Sequence, residues 1–324
     1  MRIAVFEVKD WEEQYFCQAV ASGRYTLELS ENKLTADLAG TLEGFDAVSV
    51  LESALDAEVL DIMKSRGIRF ITTRTTGYDQ INVAYAKSIG LKVANALYPS
   101  DAVAEFTILL MLLSLRHYKA SLYRVATNDY SLAGLKGKEL KAMTVGVVGT
   151  GGIGSCVVRL LAGFGCRVLA YNKSQKPDLA ALAEYTDMES IFRQSDIITF
   201  HIPLTDQTRH IVNDASLAKM KDGVILINTA RGELMDTETL IAGVESEKIG
   251  ALGLDVFEEE RDIYHRYRTT DIIKNRNMAY LRQFPNVVMT QHMAFFTETN
   301  IKSMVCDSLD NLLKMHEGQG YHEI

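Results

Sequence analysis

The sequence predicts an α/β protein made of two doubly wound parallel sheets. Three observations carry the prediction. The chain has 324 residues, about twice the roughly 150 of an average domain. Short apolar runs alternate with helix-compatible stretches along most of its length, the pattern of strands covered by helices on both faces. The alternation comes in two series, with a change of unit near residue 97.

The first series opens with the apolar run IAVFE at 3–7 as a strand, followed by FDAVSV at 45–50. Asp56 is placed to cap a helix, AEVLDIMKSR, that Gly67 stops. IRFITT at 68–73 is the next strand, 82–88 a short helix closed by Gly90, and LKVAN at 91–95 another strand. A long helix is expected over 100–117. Its run FTILLMLLSL at 106–115 is about half of the roughly 20 residues that a membrane span needs, so it reads as a buried helix. Residues 124–141 are polar and weakly periodic, and read as a connection or an arm.

The second series begins with MTVGVVG at 143–149, a strand, and an amphipathic helix at 152–164. CRVLAY at 166–171, DIITFHIP at 196–203, VILINTA at 224–230, GALGLDV at 250–256 and VVMTQH at 287–292 are read as further strands. The last helix, 298–316, is expected to return to the first unit, because termini in such folds often lie close together.

Composition narrows the function. Hydrophobic residues at 47% and charged residues at 23% are ordinary for a globular enzyme and exclude disorder over most of the chain. A net charge of −8 argues against a nucleic-acid phosphate track. Cys17, Cys156, Cys166 and Cys306 form no CxxC pair, so neither a disulfide scaffold nor a metal site is expected, and a reducing cytosol fits. The opening MRIAVFEVKDWEE is too short in apolar residues and too acidic for a signal peptide. The expectation is a cytoplasmic protein with neither a membrane nor a nucleic acid as partner.

Gly149, Thr150, Gly151, Gly152, Ile153 and Gly154 match G-x-G-x-x-G after a strand and at the start of a helix, the context that the dinucleotide fingerprint requires. The first glycine makes the turn, the second lets pyrophosphate approach, and the third lets the helix pack. Helix N–H groups and the helix dipole favour the phosphate charge. The plainer alternative is a tight turn without a ligand. An acid that reads the ribose of NAD belongs about 20 residues on. The chain has Asn172 and Lys173 there instead. Asn172 can still bond a ribose hydroxyl, and it lacks the charge that would repel a 2′-phosphate. Lys173 could pair with that phosphate or be a solvated surface lysine. NADP is therefore expected to be tolerated or preferred alongside NAD.

Arg231, Glu260 and His292 fall at or just after the ends of strands in the second series, where open parallel sheets bind ligands. Singly, each has a plainer reading: a salt-bridge arginine, a solvated member of the run Glu258-Glu259-Glu260, a structural histidine. Together they suit reduction of a 2-oxo acid. Guanidinium clamps a carboxylate in a fork, imidazole exchanges protons near neutral pH, and a carboxylate beside it holds the ring.

These residues sit in segments that resemble the D-2-hydroxyacid dehydrogenases, in particular the D-lactate dehydrogenase branch: TRTTGYDQI at 73–81, YPSDAVAEFT at 98–107, TVGVVGTGGIG at 144–154, HIPLT at 201–205, INTARGELMDT at 227–237, GLDVFEEE at 253–260 and HMAFFT at 292–297. RVLAYNKSQ also resembles the D-lactate dehydrogenase of vancomycin-resistance clusters, which likewise lacks the ribose acid. The resemblance implies a Rossmann-type cofactor domain, 98–296, inserted in a flavodoxin-like substrate domain, 1–97 plus 297–324. It implies Arg231 on the substrate carboxylate, His292 as acid/base and Glu260 as its partner. Thr76 and Gly77 would offer backbone N–H groups to the carboxylate, and Tyr98 and Phe295 would shape the substrate pocket. Asp255 would bond the nicotinamide amide, and His201, Pro203, Thr229 and Ala230 would line the cofactor. A homodimer built through the cofactor domain is implied, with a small 2-oxo or 2-hydroxy acid as partner. The chain departs from the family pattern at Tyr98-Pro99-Ser100, at Gln291, where proline is usual, and at Asn172. The implied activity is reduction of pyruvate to D-lactate. Alternatives are reduction of branched or aromatic 2-oxo acids and, outside catalysis, a dinucleotide-sensing corepressor.

Overall fold

The structure, a computed structural model, describes residues 1–21, 23–260, 263–265 and 273–324. In chain order its elements are β1 (Arg2–Val5), α1 (Asp10–Val20), β2 (Thr26–Leu29), α2 (Ala36–Ala39), β3 (Ala47–Val50), α3 (Ala57–Ser65), β4 (Phe70–Thr73), α4 (Val83–Ser88) and β5 (Lys92–Asn95). There follow α5 (Asp101–Leu115), α6 (Tyr118–Ala126), β6 (Thr144–Val148), α7 (Gly152–Phe164), β7 (Arg167–Tyr171), β8 (Glu184–Tyr185), α8 (Met188–Gln194), β9 (Ile197–Phe200), α9 (Asp214–Leu217) and β10 (Val224–Asn228). The chain ends with α10 (Thr237–Glu245), β11 (Ile249–Leu254), α11 (Arg276–Leu281), β12 (Val287–Met289) and α12 (Glu298–Glu317). Two compact units result, Met1–Pro99 with Phe296–Ile324, and Ser100–Phe295.

In the first unit, among the described residues, five parallel strands are ordered β2-β1-β3-β4-β5, the flavodoxin-like order. The strands are short and their apolar side chains fill both faces. Val48, Val50, Ile71 and Val93 pack with Leu60 and Met63. Ile3, Val5, Ala47 and Phe70 pack with Ile301, Val305, Leu309 and Leu312 of α12, so the last helix does return to this sheet. Ser308 on α12 is hydrogen-bonded to Ser49 (3.0 Å) and Thr72 (2.7 Å) within that contact. Asp56 caps α3 through Val59 N–H, as its position predicts. The elements α1, β2 and α2 are not evident from the sequence. Glu12 of α1 is buried among the apolar residues, where it receives Arg74 Nε at 2.6 Å. A charged residue on the buried face hides the helical stripe. Strand β2 is a mostly exposed four-residue edge with no apolar run. Arg74 also donates to the carbonyls of Phe6 (2.9 Å) and Glu7 (3.2 Å), and such full pairing is what a buried guanidinium requires.

In the second unit, among the described residues, seven parallel strands are ordered β12-β11-β10-β9-β6-β7-β8. Read from the other edge, this is the 3-2-1-4-5-6 dinucleotide-binding order extended by one strand. Leu110, Met111 and Leu115 of α5 pack on Val145, Val147, Ile225 and Ile227. The opposite face holds Phe200, Leu226, Leu240, Leu252 and Leu254. The segment expected to be a connection is in part α6, whose Arg124 donates to the carbonyl of Ala133 at 2.5 Å and so folds the following loop back. No helix among the described residues is long and apolar enough to cross a membrane.

Candidate active site

The glycine loop leaves β6 at the point where the strand order reverses, between β6 and β9. Gly149 has φ +92°, and a Cβ there would meet the His201 carbonyl oxygen at 2.5 Å. Its N–H donates to Tyr171 O at 2.7 Å, while His201 N–H donates to Val148 O at 2.7 Å. The ends of β7, β6 and β9 are thereby tied together. A Cβ on Gly154 would collide with the carbonyl of Gly149, whereas at Gly151 nothing lies within 4 Å. The first and third glycines are thus forced by packing, and the second faces open space. That is the shape a dinucleotide pyrophosphate needs at a helix N-terminus.

Past β7, the Asn172 amide bridges two loops. Its Oδ1 accepts from Thr150 N–H (3.2 Å) and its Nδ2 donates to Ser174 O (2.7 Å). Lys173 is exposed. Thr229, after β10, is hydrogen-bonded to Thr107 of α5 at 3.0 Å. Ala230 is half-buried and Pro203 exposed.

His201 is hydrogen-bonded through Nε2 to Thr199 at 3.0 Å. Desolvation pushes its pKa from 6.5 down to about 3, so the ring beside the glycine loop is neutral near pH 7. The unfolded chain protonates this histidine below its ordinary value, and the folded chain does so only near the lowered one. His201 therefore removes stability as pH falls through that window and has no effect above it. His201→Asn is expected to lose less unfolding free energy than wild type between about pH 7.5 and pH 5 in urea titrations; equal losses would refute the assignment.

Arg231 stands where β10 ends. Asn228 grips the turn, donating to Arg231 O at 2.7 Å and accepting from Ala230 N–H at 3.0 Å. The half-buried guanidinium of Arg231 donates to Ala230 O at 2.8 Å. A Cβ on Gly232 would run into the backbone of Phe257 and Glu258. The arginine turn and the loop that carries Glu260 are therefore in direct backbone contact. Glu258 accepts from His210 Nε2 at 2.7 Å and from Thr237 N–H at 3.1 Å, which pins that loop from its other side.

His292 and Glu260 meet. His292 Nδ1 donates to Glu260 Oε1 at 2.5 Å, and Glu260 Oε2 accepts from Phe257 N–H at 2.5 Å. Their side chains are 30% and 17% exposed, so the pair is sheltered while the imidazole stays reachable. With Nδ1 committed to the carboxylate, Nε2 is the nitrogen left for a reacting group. His292 has φ +52°, a conformation that costs a non-glycine residue energy. Asp255 imposes it. Its buried carboxylate accepts from Thr290 Oγ1 (2.6 Å), Met293 N–H (2.9 Å) and Ala294 N–H (2.9 Å), and its carbonyl from His292 N–H (2.8 Å). This turn is built without the proline usual at Gln291. Phe295 packs with its ring centroid 6.3 Å from that of His292.

On the first unit, Thr76 and Gly77 follow β4. Thr76 Oγ1 donates to Ala96 O at 3.3 Å, and Asn95 Nδ2 donates to Thr76 O at 2.6 Å. Gly77 O accepts from Thr75 Oγ1 at 2.6 Å. Tyr98 is half-buried.

Several residues of this region escape a reading of the sequence. His265 donates through Nε2 to His292 O at 3.1 Å, and its ring centroid lies 6.1 Å from that of Phe295. Among the described residues the buried Tyr264 hydroxyl has no hydrogen-bond partner, and burial, then Glu260 and Asp255, holds its pKa above the usual phenol value. Asn228, His210 and Glu258 act through hydrogen bonds that no spacing announces. Lys176 stands three residues beyond Lys173 and so farther in sequence from the expected ribose position.

Comparison with known proteins bears on this geometry. Residues 108–294 match the family model described as D-isomer specific 2-hydroxyacid dehydrogenase, NAD binding domain. The chain is 37% identical over 315 residues to an aromatic 2-oxoacid reductase of Clostridium sporogenes, covering 96% of this chain and 95% of that one. It is 35% identical over 324 residues to D-lactate dehydrogenase of Escherichia coli, covering 98% of each. The solved structure of a D-2-hydroxyisocaproate dehydrogenase superposes with a TM-score of 0.88 at 34% identity, covering 100% of this chain and 99% of that one.

Proposed function

The chain belongs to the D-isomer specific 2-hydroxyacid dehydrogenase family, and from that premise we propose that it reduces a small 2-oxo acid, pyruvate foremost, to the D-2-hydroxy acid with NADH or NADPH. The observation that carries the reading is the His292–Glu260 hydrogen bond, on a loop in backbone contact with the turn of Arg231.

The glycine loop fits a dinucleotide. Residues 149–154 would hold its pyrophosphate, with Asn172 and Lys173 at the adenosine end and His201, Pro203, Thr229, Ala230 and Asp255 along the rest. When bound, the reduced nicotinamide supplies a hydride to the carbonyl carbon. Arg231 forks onto the substrate carboxylate and so fixes which face of the carbonyl is presented. His292, in its protonated form, gives the Nε2 proton to the carbonyl oxygen as that oxygen becomes an alkoxide. Glu260, anchored by Phe257 N–H, keeps the ring aimed and balances its charge. Asp255 already accepts three hydrogen bonds from the His292 turn, so it serves that turn as well as any amide it meets. Thr76 and Gly77 are the backbone donors assigned to the carboxylate, and Tyr98 and Phe295 the walls of the pocket.

In this reading the first unit is the substrate domain and the second the cofactor domain, and the protein works in the cytoplasm. A homodimer is supported by the exposed apolar residues Leu122, Tyr123, Val125, Tyr130 and Leu132, which follow closely in the chain on and after α6, since exposed apolar residues that cluster mark interaction sites. A second reading keeps the chemistry and enlarges the substrate, favoured by the 37% identity to an aromatic 2-oxoacid reductase. Steady-state assays with pyruvate, 2-oxoisocaproate and phenylpyruvate, each with NADH and NADPH, test both. Pyruvate is expected to give the highest kcat/KM, with turnover from either cofactor. A higher value for phenylpyruvate establishes the second reading, and no turnover with any acid overturns both.

A further inference from the structure

We propose that Lys176 is the residue that grips the 2′-phosphate of NADPH, an inference that rests on the reading that the chain accepts both dinucleotides. In this fold the adenosine ribose lies at the carboxyl end of the strand after the glycine loop, beside that loop. Three side chains after β7 stand in that region. Asn172 has its amide engaged on both sides, by Thr150 N–H and by Ser174 O, and so acts first as a brace between the loops. Lys173 is exposed. Lys176 is half-buried and is held against the glycine loop at two places.

Its backbone N–H donates to Tyr185 OH at 3.1 Å, and that hydroxyl is hydrogen-bonded to Thr150 Oγ1 at 2.9 Å. Its ammonium donates to Ser155 Oγ at 3.0 Å and Gly151 O at 3.3 Å. These partners are a hydroxyl and a carbonyl, both neutral. The contacts orient the cation without matching its charge. A phosphate with about −1.5 to −2 charge can form charge-assisted hydrogen bonds to an ammonium, stronger than those to neutral acceptors. Because both backbone and side chain are already fixed on the loop, less rotamer freedom is lost on binding than for a free surface lysine.

The test uses calorimetric titration of the whole protein with adenosine 2′,5′-bisphosphate and with adenosine 5′-monophosphate, which differ by the 2′-phosphate alone. Wild type is expected to bind the bisphosphate more tightly. Lys176→Met should weaken bisphosphate binding by about tenfold or more while changing monophosphate binding less than about twofold, and Lys176→Arg should restore most of the difference. Lys173→Met should cost less than Lys176→Met. Three results overturn the proposal: equal loss for both ligands, no loss for either, or a larger loss from Lys173→Met. If wild type does not prefer the bisphosphate, the NADPH reading falls and takes the proposal with it. If that preference is present and survives Lys176→Met, only the assignment to Lys176 falls.

Discussion

Arg231→Ala is expected to lower kcat/KM for pyruvate by about a thousandfold while leaving NADH affinity within about twofold. Truncating one partner of a desolvated charge pair costs about 2–5 kcal/mol, and each 1.4 kcal/mol is a factor of ten. The substrate carboxylate would lose its cation, and the carbonyl its orientation. The variant should fold normally. The turn at Arg231 is held by the side chain of Asn228 and by the close packing of Gly232 on Phe257 and Glu258. Arg231→Lys should recover part of the loss, because a point charge replaces a fork. Near-wild-type turnover of Arg231→Ala would end the assignment. So would a drop in activity matched by a drop in thermal stability, since that is the signature of a structural salt-bridge arginine.

The sequence made much of this legible because both domains are built from parallel strands. A buried parallel strand is a short apolar run, and VILIN or IITF announces itself whatever its neighbours do. The glycine loop was equally plain, since Gly149 and Gly154 occupy positions that a Cβ cannot share. What stayed hidden depends on geometry that residue type does not encode. Glu258, Glu259 and Glu260 are alike in the sequence. In the fold, Glu258 holds His210 and Thr237, Glu259 is exposed with φ +59°, and Glu260 meets His292. Helix α1 was masked by Glu12, a carboxylate buried only because Arg74 arrives from β4, about sixty residues away. His265 carries no motif at all. Its place beside His292 comes from the path of a loop, and periodicity is silent about loops.

His292→Gln is expected to reduce kcat for 2-oxo acid reduction by about a hundred- to ten-thousandfold, the range that a positioned acid/base supplies. Fluorescence titration should show NADH binding within about twofold of wild type, because His292 follows β12, four strands from β6, whose loop forms the phosphate cradle. Lost cofactor binding would contradict that division of roles. Glutamine can still bond Glu260 and fill the space, so what the substitution removes is the exchangeable proton. Glu260→Gln should cost less by itself, since the proton remains on the imidazole while its orientation and charge balance weaken. The double variant separates partnership from coincidence. If Glu260 acts only through His292, adding Glu260→Gln to His292→Gln should lower kcat little further, as groups acting as a unit are strongly non-additive. Additive losses would mean that Glu260 touches the reaction independently. The 2.5 Å bond between the two argues for the non-additive outcome, with Phe257 N–H holding the second carboxylate oxygen so that the pair moves as one group.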